Sequence, residues 1–123
     1  AMWSNCLFVA LGGGLGAVGR YLLSLIAAPW SFPVMTLLTN FLGAVVIGAV
    51  AQAAGQLPMF KSAVLFLKTG LCGGFTTFST FSLETVELLE QGRWAAGGGY
   101  ILASVGLCLA GVLLGRALVW KIL

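Results

Sequence analysis

Gly73-Gly74-Phe75-Thr76-Thr77-Phe78-Ser79-Thr80-Phe81-Ser82 is the stretch whose reading decides the fold. It lies between Ala63-Val64-Leu65-Phe66-Leu67 and Glu84-Thr85-Val86-Glu87-Leu88-Leu89, inside what otherwise reads as one long apolar helix. Two adjacent glycines, followed by alternating hydroxyl and aromatic residues, lower helix propensity through backbone freedom at Gly and stiff χ1 at Thr. The pattern predicts a helix broken near residues 73–80. In a bilayer, opened backbone persists only where protein, water or an ion satisfies the freed N–H and C=O groups, so the break is a candidate ion site. The plainer alternative is a tolerated kink in a packed helix.

Outward from this stretch the whole chain is apolar. Its 123 residues are 60% hydrophobic and 7% charged, with a mean hydropathy of +1.09, which excludes an ordinary soluble domain. A crossing needs about 20 apolar residues. Four such runs are present, at about 6–28, 34–54, 62–90 and 94–120, so the expectation is an all-α membrane protein with one membrane domain over 1–123. No soluble portion is left for separate chemistry, and an enzyme is not expected. Met2-Trp3-Ser4-Asn5-Cys6 has no basic n-region, so no removable signal peptide is expected, and Ala1 is read as an added residue. Histidine and aspartate are absent, and Cys6, Cys72 and Cys108 lack ligand-type spacing; they are read as small buried residues, not as a metal site or disulfide framework. Six scattered basic residues, for a net charge of +3, leave no footprint for nucleic acid.

In the first run Gly12 and Gly16 form a small-xxx-small pair that lets another helix approach. Arg20 sits roughly 12 Å from the end of that run and either snorkels or lines a water-filled vestibule that concentrates anions. Pro29-Trp30-Ser31-Phe32-Pro33 is a short connection. Thr36, Asn40, Ala44 and Gly48 share one face of the second run. Asn40 is the one amide well inside any run, and must find a partner or a hydrated path. Gly55 and Pro58 signal a turn, and Lys61 and Lys68 flank the start of the third run. Beyond the break, Glu87 and Glu90 read as a solvated helix end and Glu84 as facing a vestibule. Gln91-Gly92-Arg93 is a tight turn. In the fourth run Tyr100, Ser104 and Cys108 make a stripe at four-residue spacing, and Gly111 and Gly115 repeat the small-xxx-small pattern.

Trp3, Trp30, Trp94 and Trp120 all fall at run ends, as an aromatic belt requires. Lys61, Lys68, Arg116 and Lys121 lie on one side against Arg93 and Arg20 on the other, so the orienting bias is slight. Both insertions are then credible, and oppositely inserted copies can pair about a two-fold axis in the membrane plane, with a pore between copies. The embedded polar groups, Thr36, Asn40, Thr76, Thr77, Ser79, Thr80, Tyr100 and Ser104, are neutral, and no carboxylate is centrally placed. Such a donor track suits passive conduction of a small anion. Phe75, Phe78 and Phe81, at three-residue spacing, add electropositive ring edges or simply pack.

Taken together, these residues resemble the Fluc/CrcB family of fluoride channels. The likeness rests on residues 73–82 with Glu84, on Gly16-Ala17-Val18-Gly19-Arg20, on Thr36 and Asn40-Phe41-Leu42-Gly43, and on Tyr100 with Ser104. It implies a fluoride-selective channel in the inner (plasma) membrane of a bacterium, built as a dual-topology antiparallel homodimer with two pores. It further implies that Asn40 donates its amide to fluoride, that Phe78 and Phe81 offer ring edges, and that Thr36, Ser79, Thr80, Tyr100 and Ser104 contribute to the polar path. By the same resemblance the carbonyls of Gly73 and Thr76 from both copies hold a structural Na⁺ at the dimer interface, and Arg20 and Glu84 stand at the vestibules. Cys108 departs from the family, which commonly presents a hydroxyl there. The alternatives are a small dual-topology multidrug-type exporter, a class that expects an acid in the first run where this chain has Arg20, and a membrane assembly protein, which explains the glycines but not the donor track.

Overall fold

The computed structural model describes residues 1–26 and 31–123. The expected end of the first run at Ala28, and Pro29 and Trp30 of the connection, lie outside the described residues. Most of the described residues are helical, with no strand among them. Helix α1 spans Met2–Ser24 and α2 spans Val34–Gln56. A continuous helical run over 61–75 follows, made of α3 (Lys61–Val64), a π-helical segment (Leu65–Cys72) and α4 (Gly73–Phe75). Thr76 (φ −85°, ψ 156°) and Thr77 (φ −148°, ψ 116°) are extended. Helices α5 (Phe78–Glu90) and α6 (Trp94–Ile122) complete the chain. Three of these, α1, α2 and α6, are long and apolar enough to cross a membrane.

Backbone contact holds the helices in two parallel pairs. A Cβ added at Gly12 would stand 2.9 Å from the Leu71 nitrogen and 3.0 Å from the Gly70 Cα, and one at Gly16 would stand 2.7 Å from the Phe75 nitrogen. Only glycine permits that approach of α1 to the 61–75 run. The run meets Gly12 through Phe66, Gly70 and Leu71 and Gly16 through Leu71, Gly74 and Phe75, one face of a helix that is π-wound over Leu65–Cys72. The second pair is α2 with α6. Gly48 lies against the Val112 backbone, and a Cβ at Gly115 would stand 2.8 Å from the Ala49 nitrogen. Helix α5 runs back antiparallel along α6, with Leu88 and Leu89 beside Gly97 and the Phe81 ring centroid 5.0 Å from that of Tyr100. Tyr100 is wholly buried, with Phe32 edge-on at 5.4 Å and 81°.

Most large side chains point outward: Leu15, Leu102 and Leu113 are each 60% or more exposed. The buried side-chain cluster is small, comprising Phe81, Leu88 and Tyr100 with Phe32, Leu37 and Ala96 packed on it. Trp3, Trp94 and Trp120 are exposed at helix ends.

Several boundaries differ from the sequence reading. Helix α1 starts at Met2, ahead of the expected Cys6. Gly55 is not a turn residue, because α2 carries on through it to Gln56 and the chain extends only at Leu57, before Pro58. Glycine inside a helix costs less than about 1 kcal/mol, which the flanking apolar turns override. The π winding was not anticipated. The turn at Gln91-Gly92-Arg93 is present: Gly92 has φ 75°, its N–H reaches the Leu89 carbonyl at 3.0 Å, and the Arg93 N–H reaches that of Leu88 at 2.9 Å.

Gly16→Val should prevent the α1 seam from closing. The obstacle is backbone, which cannot rotate aside, so the loss should be at least about 1–3 kcal/mol. A lowered melting temperature in detergent, with Gly14→Ala as an unaffected control because it faces open space, is the expected result.

Candidate functional site at the Thr76–Thr77 break

Leaving the helical conformation at Thr76 and Thr77 frees backbone groups that must be satisfied elsewhere. Asn40 of α2 supplies the main answer. Its Nδ2 donates to the Thr77 carbonyl at 3.1 Å, and its Oδ1 accepts the Thr77 N–H at 2.8 Å. The carboxamide thus pairs with Thr77 as a second peptide would. Thr77 in turn caps α5: its Oγ1 accepts the Thr80 N–H at 3.1 Å and donates to the Thr80 Oγ1 at 3.0 Å, with the Ser79 Oγ at 3.3 Å. Thr76 turns back on the preceding helix, its N–H and Oγ1 both donating to the Cys72 carbonyl at 3.0 and 2.9 Å.

These bonds divert two N–H groups from the partners a continued helix would give them. The Thr77 N–H would have reached the Gly73 carbonyl, and the Thr80 N–H the Thr76 carbonyl. Both carbonyls are left as available acceptors. The neighbouring Gly74 carbonyl instead accepts from the Arg20 Nε at 3.2 Å. Arg20 is therefore fixed to the break. It also borders a hollow of about 70 Å³ with Thr36, Thr77 and Thr80.

On the other side of the break lies a groove of about 580 Å³ between α2, the 61–75 run and α6. Asn40, Gly73, Thr76, Phe78, Phe81, Ser104 and Cys108 all line it, together with Lys68. The Ser104 Oγ is buried and has no hydrogen-bond partner. Cys108 is half-buried, one turn further along α6. Phe78 is 78% exposed, while Phe81 is buried beside it at a ring distance of 5.4 Å.

Two parts of the sequence reading change. The donor track is not wholly neutral: the Glu84 carboxylate accepts from the Tyr100 hydroxyl at 2.9 Å and the Thr36 hydroxyl at 3.1 Å. The helix register after the break brings this acid to both hydroxyls, and that register follows from where the backbone leaves helix at Thr76 and re-enters it at Phe78. The row of three rings is also divided. Phe75 precedes the extended residues and packs against Gly19 and Gly43, whereas Phe78 and Phe81 follow them. The capping role of Thr77 has a sequence signal, a Thr directly before an apolar helical run and three residues ahead of another hydroxyl.

Residues 7–116, a range that contains every one of these groups, match the family model described as CrcB-like protein, Camphor Resistance (CrcB). The chain belongs to the CrcB family. Relatives named fluoride-specific ion channel FluC include that of Ruminiclostridium cellulolyticum, 45% identical over 93% of this chain and 91% of its own. That of Roseiflexus sp. is 47% identical over 90% and 93%, and that of Shewanella frigidimarina 46% over 96% and 98%. The resemblance seen in the sequence is thus correct at family level, and the CrcB relatives are named as channels, not enzymes. A multi-pass, all-helical membrane chain agrees with that membership.

Asn40→Leu should destabilise the fold. It keeps the branched shape but strands the Thr77 N–H and carbonyl, at about 1–3 kcal/mol for each group. Thermal unfolding in detergent should show a drop clearly larger than that of Thr77→Ala, for which a lost cap accounts for about 1 kcal/mol.

Proposed function

We propose that this chain is a fluoride-selective channel that passively releases fluoride from the cytoplasm. The observation that carries the reading is the full-length likeness to relatives named fluoride-specific ion channels. The working unit is an antiparallel homodimer of dual-topology subunits in the inner membrane, with α3 to α5 forming a third membrane span broken at Thr76–Thr77. Two copies facing one another across the 580 Å³ groove would enclose two pores. The outward apolar surface is left to lipid.

In each pore the anion meets hydrogen rather than fixed charge. Asn40 has a second Nδ2 proton beyond the one given to Thr77. The unpartnered Ser104 hydroxyl can donate to an ion in the groove. Phe78 and Phe81 offer ring edges, and Ser79 and Thr80 continue the path from the capped end of α5. Thr36 and Tyr100 belong to the same path, and in this arrangement they are engaged by Glu84. Arg20 and Glu84 stand at the vestibules. Neutral donors replace part of the hydration shell without holding the ion so tightly that it cannot leave.

A structural Na⁺ at the dimer interface fits the donors present. The Gly73 and Thr76 carbonyls, whose helical N–H partners are taken by Asn40 and Thr77, are hard oxygen ligands of the kind that unwound membrane helices offer to sodium. Such an ion supplies fixed positive charge between the pores. Cys108 is the weak member of the track, since a thiol donates poorly.

In liposomes loaded with potassium fluoride and treated with valinomycin, the protein should release fluoride quickly and chloride hardly at all; equal chloride release would overturn the selectivity. Asn40→Asp retains an acceptor for the Thr77 N–H but removes the donor, so it should form dimers and lose at least about tenfold in fluoride flux. Unchanged flux in that variant would take Asn40 out of the path.

A further inference from the structure

Lys68 has no part in the pathway described above, yet it lines the same groove as Asn40 and Ser104. It lies in the π-helical segment, about 10 Å along the helical run from Lys61 at ~1.5 Å per residue. Thr76 touches Gly43 of α2, and from there the run extends back antiparallel to α2. Lys68 is therefore level with the C-terminal half of α2, at the end of the groove nearer both chain termini. Its side chain is exposed, as is that of neighbouring Thr69.

No carboxylate lines the groove. The three acids, Glu84, Glu87 and Glu90, are all on α5, beyond the break, and Glu84 is engaged by Thr36 and Tyr100. An ammonium on a flexible stem can lie along the apolar wall with its head at the opening. There it raises the local concentration of whatever anion approaches.

We propose that Lys68 is an anion-recruiting residue at the mouth of the groove, one that sets the supply of small anions to the donor path without choosing among them. The inference rests on the channel reading given above. Lys68 is eight residues from Thr76, at most about 12 Å at the α-helical ~1.5 Å per residue and somewhat less over its π-wound part, so it acts through its field rather than by touching an ion bound at Asn40. That distance lies within the Debye length of about 30 Å at 0.01 M salt and beyond the one of about 8 Å at 0.15 M. Recruitment is then a low-salt effect, ordered by side-chain charge and indifferent to which halide is offered.

Fluoride release from liposomes carrying wild type, Lys68→Arg, Lys68→Met and Lys68→Glu, at these two ionic strengths set with an impermeant salt, tests this. At 0.01 M the Arg variant should match wild type, the Met variant should fall at least about threefold, and the Glu variant should fall further. At 0.15 M the four should converge, with the fluoride-to-chloride ratio unchanged throughout. Met and Glu variants that equal wild type at 0.01 M would overturn the proposal. So would a loss of the same size in all three variants at both ionic strengths, because packing rather than charge would then be the cause. Absence of fluoride release from the wild type would overturn the channel reading, and this inference with it.

Discussion

The two hydrogen bonds between the Asn40 carboxamide and the Thr77 peptide hold open a backbone that would otherwise close into helix. An interrupted helix in an apolar setting is unstable unless each freed group finds a partner. Asn is suited to this because it presents a donor and an acceptor side by side, as a peptide does. A carboxylate has only the acceptors and an aliphatic side chain has neither. Once Thr77 is held, its hydroxyl is positioned to cap α5, Arg20 takes the Gly74 carbonyl, and the N–H groups that a continued helix would aim at the Gly73 and Thr76 carbonyls are bonded elsewhere. Polarity at the break is thus distributed by a short chain of substitutions, in which side chains stand in for backbone.

The helices that carry this arrangement meet through backbone. Gly12 and Gly16 bring α1 onto the π-wound segment, and Gly48, Gly111 and Gly115 bring α2 onto α6. The level of Asn40 against Thr77 is set at Gly43, where the Thr76 and Phe75 side chains pack onto α2. The aromatic cluster around Tyr100 fastens α5 to α6 on the far side of the break. Asn40 therefore serves two ends: it satisfies the break, and in the proposed fluoride path it lends its remaining proton to the ion.

Much of this was legible in the sequence because membrane helices announce themselves by length and apolarity, and glycine spacing marks the faces that meet. The weakness at residues 73–80 was visible in local propensity, and of the residues that carried the family resemblance Asn40, Gly43, Thr76, Thr77, Phe78, Phe81 and Ser104 line one groove while Thr36, Glu84 and Tyr100 bond to one another. Less legible were features that depend on winding and register. Nothing in the composition of Leu65–Cys72 signals π-helix. The approach of Glu84 to Thr36 and Tyr100 was not legible, because it depends on the helix register after the break. Phe75 read as one of three equivalent rings because the two extended threonines that separate it from Phe78 were not yet placed.

Among the described residues Tyr100 is the one large side chain sealed completely inside the subunit, and the seams between the long helices are closed largely by main chain. An interior of that kind asks very little of the greasy residues outside it. Leu15, Leu102 or Leu113 can be exchanged for another aliphatic shape without disturbing what the helices rest on, whereas one added methyl group at a seam has nowhere to go. Tolerance to substitution should therefore run opposite to that of a water-soluble domain: bulk is dispensable here, and its absence at a handful of positions is not.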